Sequence, residues 1–131
     1  MSTKNKKTPQ QPPTEQELEI LKVIWDAPGP VTVRDVYEVL LERRKVAYTT
    51  VMTMMGILEK KGHLERRKDG RAYVYHPVRS KGQTVAGLVH DFVERVFDGS
   101  ARPLLLALAD DERISEDDLE EIRQRMKEID E

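Results

Sequence analysis

The segment AYTTVMTMMGILEKKG, from Ala47 to Gly62, carries small polar residues where a surface helix usually carries charges. On a helix its apolar residues fall on one side: Val51, Met54, Met55 and Leu58. The opposite side carries Thr49, Thr53, Gly56 and Lys60. A threonine offers a hydroxyl to a phosphate or base edge and a methyl to a thymine, and small side chains allow close approach. The residue types on this side of the helix therefore suit contact with a nucleic acid.

The first turns of this helix would supply the side chains that read base edges, because the DNA major groove is wide enough to admit a helix. We expect the base-reading residues to be Thr49, Thr50, Met52 and Thr53. Lys60, near the other end, would face a phosphate. The alternative is an ordinary surface helix with neutral threonines, and the helix alone leaves the two interpretations open.

The segment directly after this helix, HLERRKDGRAYVYHP, predicts two short strands joined at Asp69-Gly70, a dipeptide suited to a two-residue type I′ hairpin. That register would pair Arg66 with Tyr73. The hairpin would present four cations to a phosphate backbone: Arg66, Arg67, Lys68 and Arg71. A basic hairpin behind the helix makes a winged helix, and the combination favours DNA binding.

Two further helices are needed to position these residues, and the preceding sequence predicts them. TEQE, residues 14–17, is a capping box that begins the first helix, which ends at residues 28–30, Pro-Gly-Pro. Thr32 caps the second helix, with an apolar stripe of Val36, Tyr37, Leu40 and Leu41. Gly62 ends the third helix as a left-handed residue. Helix, short turn and helix is the helix-turn-helix pattern.

The last part of the chain, residues 80–131, reads as helices with apolar faces and no core of their own. The first face comprises Val85, Leu88, Val89, Phe92 and Val96. A short helix entered through Pro103 follows, and Ser115 then caps a last helix. The face of that last helix comprises Leu119, Ile122, Met126 and Ile129. These faces require a partner surface.

Composition excludes several classes of function. The 131 residues contain no cysteine and three histidines without ligand spacing, so we expect no metal site and no cofactor. No nucleophile elbow, phosphate loop or paired carboxylate motif appears, so we expect no enzyme. Neither a spanning apolar segment nor a secretory signal is present, and we expect a cytoplasmic protein without membrane insertion.

Charge divides the chain. Residues 1–79 carry 15 Lys and Arg against 10 Asp and Glu, a net charge of +5, whereas residues 80–131 carry 7 against 14, a net charge of −7. A basic front part suggests that this part meets a polyanion. We therefore expect a disordered basic arm at residues 1–13, a winged-helix DNA-binding domain at 14–79 and a helical dimerisation region at 80–131.

The segments TEQELEILKVIW, YTTVMTMMGILEKKG and RRKDGRAYVYHP resemble the BlaI/MecI/CopY family of bacterial transcriptional repressors, the penicillinase and methicillin-resistance repressors. The resemblance runs from Thr14 to the C-terminus. It implies a mainly α fold with a small β-wing: a winged helix-turn-helix DNA-binding domain plus a C-terminal helical dimerisation region. It also implies that a homodimer binds a palindromic, double-stranded DNA operator, an inverted repeat whose half-sites lie one helical turn or a multiple apart.

The resemblance carries over to some positions and departs at others. Thr50 and Thr53 match threonines of the family's recognition helix, whereas Met52 stands where staphylococcal members have arginine. In those members a membrane sensor protease pathway responds to β-lactam, and the repressor is cut between Asn and Phe. The matching bond here is Ala107-Leu108, the position of possible cleavage. The cysteine cluster of the copper-responsive branch is absent.

Two other interpretations remain open at this point. A winged helix can serve as a protein-interaction module without sequence-specific DNA binding, and a member of the same fold can sense a small molecule in its dimer core. The dependence of affinity on salt separates the first alternative from a DNA binder.

Overall fold

A computed structural model of the protein describes residues 11–130. For residues 129 and 130 it describes the backbone but not the side chains. The described residues form α1 (Glu15–Asp26), α2 (Val33–Leu41), α3 (Tyr48–Lys60), β1 (Leu64–Asp69), β2 (Ala72–Pro77), α4 (Lys81–Phe97), α5 (Arg102–Ala109) and α6 (Glu116–Asp130). They divide into two compact units, and the division falls between Ala86 and Gly87, inside α4. Residues 1–10 of the predicted arm lie outside the described residues, and the domain bounds predicted from the sequence remain predictions.

The predicted N-caps begin their helices. The hydroxyl of Thr14 accepts a hydrogen bond from the Glu17 amide at 3.2 Å, and the Glu17 carboxylate accepts one from the Thr14 amide at 3.0 Å. Thr32 and Asp35 exchange the same pair of bonds at the start of α2. Ser115 caps α6 in the same way. Each cap satisfies amides that the helix itself leaves without partners, which is worth about 1 kcal/mol.

The first three helices and the base of the hairpin enclose one apolar core. Its most deeply buried members are Ile20, Leu21, Val36, Leu40, Val51, Met55, Leu58 and Leu64. Leu41, which we predicted in the apolar stripe of α2, is 46% exposed. The stripe is set by Val36 and Leu40, four residues apart, and the next residue lies about 100° around the helix from that line.

The hairpin register differs from the prediction by two residues. Arg66 pairs with Tyr75 instead of Tyr73, and the two-residue loop is Gly70-Arg71 instead of Asp69-Gly70. The loop glycine has a φ of 68° and the arginine has a negative φ, which matches a type II′ loop and not type I′. A shift of two residues keeps every side chain on its predicted face, so the alternation of the sequence cannot reveal it.

The hairpin is attached to the helices at its base. Val31, in the loop between α1 and α2, forms an antiparallel bridge with Tyr75, with N–H···O distances of 3.0 and 2.7 Å. The indole N–H of Trp25 donates to the carbonyl of Arg79 at 3.0 Å. These bonds hold the second strand against α1, so the hairpin projects from a fixed base.

Candidate nucleic-acid interface

The outward side of α3, which we call the recognition edge, comprises Thr49, Thr50, Met52, Thr53 and Lys60. All five are exposed. The opposite side of the helix is packed into the core, because Val51, Met55 and Leu58 are at most 1% exposed. The division between the two sides follows the prediction. Met52 is 46% exposed, so an apolar, flexible side chain lies among the threonines.

Two backbone features of α3 also favour contact with an outside surface. A methyl group added at Gly56 would meet no atom within 4 Å, so packing within the domain does not require glycine there. A glycine within a helix costs about 0.5–1 kcal/mol relative to alanine. The N-cap residue of α3 is Ala47, which offers no side-chain hydrogen bond to the first amides. Gly56 and the missing cap therefore cost helix stability without a packing reason within the domain.

The tip of the hairpin carries cations available to an outside partner. Arg67, Lys68 and Arg71 are exposed, and within residues 11–130 none of them forms an ion pair. Arg67 and Lys68 are adjacent on β1 and therefore point to opposite faces of the hairpin. The hairpin tip therefore presents positive charge on both of its faces, either of which could contact a phosphate backbone.

Arg66 is engaged within the domain, unlike the other three cations of the hairpin. Its guanidinium lies 4.1 Å from the ring centroid of Tyr73, and its Nε lies 3.5 Å from a carboxylate oxygen of Glu59 in α3. The pKa of Arg66 is raised by a hydrogen bond with Tyr75 and by the charge of Glu59. The side chain therefore links the hairpin to α3, a role that strand alternation alone did not indicate.

Arg34 is a surface cation that the sequence analysis missed. It lies in the first turn of α2, with its guanidinium 5.6 Å from the ring centroid of Tyr48, the first residue of α3. The Tyr48 ring in turn meets Tyr37 edge-on at 5.5 Å. An arginine in a first helical turn is unfavourable for the helix dipole. This unfavourable position is the sequence feature that could have marked Arg34 as a residue with another role. Arg34 also pairs with Glu38, one helical turn further on, at 3.6 Å, so its positive charge beside the start of the recognition edge is partly balanced by a neighbouring carboxylate.

A contact between α1 and the residue after α3 holds the C-terminal end of α3 in place. Lys61 donates to the Glu17 carboxylate at 2.7 Å, and both side chains are largely buried, at 14% and 6% exposed. Burial alone would raise the pKa of Glu17, but hydrogen bonds from Lys61 and Thr14, with the charge of Lys61, hold it below its usual value. The same ammonium lies 3.3 Å from the Pro12 carbonyl.

His63 makes a second contact with the chain ahead of α1. Its Nε2 lies 2.8 Å from the carbonyl oxygen of Gln11, and since a carbonyl only accepts, Nε2 carries the proton. The residue is 7% exposed. Burial lowers the pKa of His63, and the charges of Lys61 and Arg79 lower it further, against the opposing effect of the Gln11 carbonyl. His63 thus donates from Nε2 to the chain ahead of α1, and its burial favours the neutral form of the ring.

The predicted dimerisation residues present apolar surface in the structure. Val85, Val89, Phe92 and Val96 of α4 are between 40% and 53% exposed, and Leu119, Ile122 and Met126 of α6 between 37% and 51%. Leu88 is partly buried. The side chain of Ile129 lies outside the described residues. In the intervening helix α5, Leu105, Leu106 and Leu108 are also exposed. These faces lack cover in the described part of the chain.

Other predicted features are placed as follows. The Ala107-Leu108 bond lies inside α5, with both residues exposed. In the part of the chain that the structure describes, no group of His, Cys, Asp and Glu could hold a metal ion. No helix there is long and apolar enough to cross a membrane.

Comparisons with known proteins give the following similarities. A family model described as penicillinase repressor matches residues 13–128. The chain is 35% identical over 113 residues to the transcriptional regulator BlaI of Mycobacterium tuberculosis, covering 86% of this chain and 81% of that protein. It is 29% identical over 115 residues to the penicillinase repressor of Bacillus licheniformis, covering 88% and 89%. A solution structure of the DNA-binding domain of the repressor BlaI aligns with a TM-score of 0.48 and 34% identity, over 56% of this chain and 85% of that one.

Proposed function

The chain belongs to the penicillinase repressor family, whose members are named transcriptional regulators and not enzymes, and we propose that it represses transcription by binding an inverted-repeat DNA operator as a homodimer. The observation that carries the proposal is the recognition edge of α3 beside the basic hairpin tip. Base edges would be read by Thr49, Thr50, Met52 and Thr53, and phosphates would be held by Lys60, Arg67, Lys68 and Arg71. Arg34 joins the phosphate-binding group, and Arg66 supports the hairpin.

The chemistry of the recognition edge favours thymine-containing steps. Threonine hydroxyls donate to or accept from base edges, and threonine methyls and the Met52 thioether make apolar contact with the thymine methyl. Guanine is read best by a bidentate arginine, and the recognition edge carries no arginine. We therefore expect operator half-sites in which the α3 contacts depend on thymine and adenine more than on guanine.

The exposed apolar faces of α4 and α6 support the proposal of a homodimer. A second copy of the chain would cover the same faces in a two-fold arrangement, since an isologous interface places identical surfaces opposite each other. Two winged helices in such a dimer read two half-sites in opposite orientations, separated by about 34–36 Å or a multiple. Covering these faces removes apolar surface from water, which stabilises the dimer.

Relief of repression would come from a sensor-dependent signal that acts on the second unit, such as proteolysis through a membrane sensor protease pathway. The Ala107-Leu108 bond is the candidate position. Because that bond lies within α5, a protease would need the helix to open before the backbone could enter an active site in extended form. Binding to chromosomal DNA would place the protein in the cytoplasm.

An unbiased selection of duplexes retained by the purified full chain tests this function. We expect enrichment of an inverted repeat, and we expect the affinity for it to fall steeply with salt, with log K changing by about 0.9 per phosphate contact per log unit. A scrambled duplex of the same composition is the matched control. Enrichment without two-fold symmetry would contradict dimeric reading. Retention of no duplex at all would favour the protein-interaction module instead.

A further inference from the structure

The ring of Tyr48, the first residue of α3, is held by two side chains of α2. The guanidinium of Arg34 lies 5.6 Å from its ring centroid, and the ring of Tyr37 meets it edge-on at 5.5 Å, with 80° between the ring planes. A ring that contacts both a cation and a second aromatic ring has a restricted orientation. Tyr48 therefore has little further rotamer freedom to lose when it binds a partner.

The rest of the Tyr48 side chain is open to an outside partner. The residue is 37% exposed, and among the described residues no side-chain hydrogen bond involves its hydroxyl. A tyrosine packs through its apolar ring and can donate a hydrogen bond from its hydroxyl. Tyr48 thus combines an oriented ring with a donor that the described part of the domain does not use.

Tyr48 lies between the base-reading residues and the first turn of α2. It directly precedes Thr49 and Thr50 of the recognition edge, whereas Arg34, which it contacts, belongs to α2. In helix-turn-helix complexes the recognition helix enters the major groove with its N-terminal residues at base edges, and the helix before it crosses the backbone. A side chain in contact with both helices at this end is therefore expected beside the phosphates that border the groove.

The charge beside Tyr48 also suits a phosphate. The Arg34 side chain is 66% exposed, and its pair with Glu38 at 3.6 Å lies at the surface, where such a pair contributes little to stability. Arg34 can therefore remain near the Tyr48 ring and still face an anion. The hydroxyl and the guanidinium offer one neutral and one charged donor side by side, and both kinds of donor bind DNA phosphates.

We propose that Tyr48 is a further DNA-contacting residue, whose hydroxyl donates a hydrogen bond to one backbone phosphate at the edge of the groove that α3 enters. The proposal deepens the function proposed above and rests on it. The bond fixes the start of α3 on the backbone, while Thr49 and Thr50 read the bases beside it. Because every nucleotide step has a phosphate, the contact adds affinity for any duplex and carries no sequence preference.

The variant Tyr48→Phe tests the contact, because it removes the hydroxyl and keeps the ring. In equilibrium titrations with the selected operator and a scrambled duplex, we expect binding to weaken by about five- to tenfold for both. The slope of log K against log salt should not change, because the hydroxyl carries no charge. A loss confined to the operator would show that Tyr48 reads a base, and unchanged affinity would show that the hydroxyl makes no contact. Either result overturns the proposal.

Tyr37→Phe is the matched control. It makes the same chemical change on the ring that contacts Tyr48, but Tyr37 is partly buried against the core. We expect its affinity for both duplexes to equal that of the unaltered chain, and we expect both variants to keep the melting temperature of the unaltered chain. Equal losses of affinity in the two variants would assign the effect to the packing of α2 on α3 and would overturn the contact.

Single methylphosphonate substitutions along the operator identify the phosphate, since each removes the charge of one phosphate. At one position in each half-site, we expect the substitution to weaken binding of the unaltered chain and to have a clearly smaller effect on Tyr48→Phe, because both changes remove the same contact. Additive losses at every position would overturn the contact while operator binding by the unaltered chain still stood. Failure of the unaltered chain to bind any duplex would overturn both the contact and the function proposed above.

Discussion

The ammonium of Lys61 lies 2.7 Å from the carboxylate of Glu17, although 44 residues separate them in the chain. This contact joins the residue that follows α3 to the capping box that begins α1. Glu17 therefore serves two partners at once, the Thr14 amide and the lysine. The orientation of α3 is therefore fixed at this point relative to α1, the first helix of the domain.

Replacing Lys61 by Met should destabilise the winged helix, because it keeps the aliphatic stem but leaves a buried carboxylate without its partner. We expect the free energy of unfolding to fall by about 3 kcal/mol, measured by urea denaturation. The double variant Glu17→Gln/Lys61→Met should recover part of the loss, since neither charge then remains buried. A double variant less stable than Lys61→Met would contradict this interpretation.

The stability of the domain should fall as the pH falls below the usual pKa of histidine, near 6.5. The pKa of His63 is lower in the folded state, so the unfolded chain binds the proton first as the pH falls. The contribution of the neutral histidine to stability is therefore fully present above about pH 6.5. It is lost as the pH drops toward the pKa of the folded state. The loss is at most about 1.4 kcal/mol per pH unit for one group. The groups facing His63 include Lys61, Arg79 and Glu17.

The check on the histidine is the variant His63→Gln, unfolded in urea at several pH values between about 8 and 5. Its amide N–H can still donate to the Gln11 carbonyl, but it does not titrate. We expect a flatter dependence of the unfolding free energy on pH than in the unaltered chain. Parallel curves for the two proteins would show that another group is responsible.

Two single substitutions should distinguish a residue that reads bases from a residue that binds phosphate. We expect Thr53→Ala to weaken binding to the selected operator by about 1–3 kcal/mol with little effect on random duplex, because a base contact is lost. Arg71→Ala should weaken binding to both duplexes by similar factors and reduce the salt slope by about 1. Equilibrium titration of both duplexes measures the split, and equal losses on specific and random DNA for both variants would refute it.

Arg66 and its neighbour Arg67 form a matched pair. Arg66→Ala removes the contacts with Tyr73 and Glu59, so we expect a loss of about 1 kcal/mol of stability and weaker DNA binding with an unchanged salt slope. Arg67→Ala should leave stability within about 0.5 kcal/mol and reduce the salt slope by about 0.9. Denaturation and salt titrations check both variants. The reverse pattern would mean that Arg66 is the phosphate contact.

The apolar face of α4 should hold the dimer. We expect Val89→Glu/Phe92→Glu to sediment as a monomer at micromolar concentration, because two carboxylates would be buried against apolar surface. Its operator affinity should fall by much more than tenfold while its winged helix stays folded. His90→Glu, on the same helix but outside the predicted face, is the control. A dimer in the double variant would place the interface elsewhere.

The sequence determined those features that depend on neighbours within one or two turns. The capping boxes at Thr14 and Thr32 and the left-handed Gly62 set the ends of helices, since cap and partner lie three or four residues apart. The helical period also separated the buried and exposed sides of α3, because one side must enter the core. The exposed side of α3 was therefore predictable without a structure.

Only the tertiary structure decided what depends on packing between distant segments. Strand alternation is equally satisfied by registers two residues apart, so the loop at Gly70-Arg71 had to be observed. No local pattern relates the residues that form the other long-range contacts. Arg66 of β1 pairs with Glu59 of α3, and Lys61 and His63 bond to the chain ahead of α1. Whether a cationic side chain faces solvent or pairs with a carboxylate depends on how the helices and strands are arranged in three dimensions.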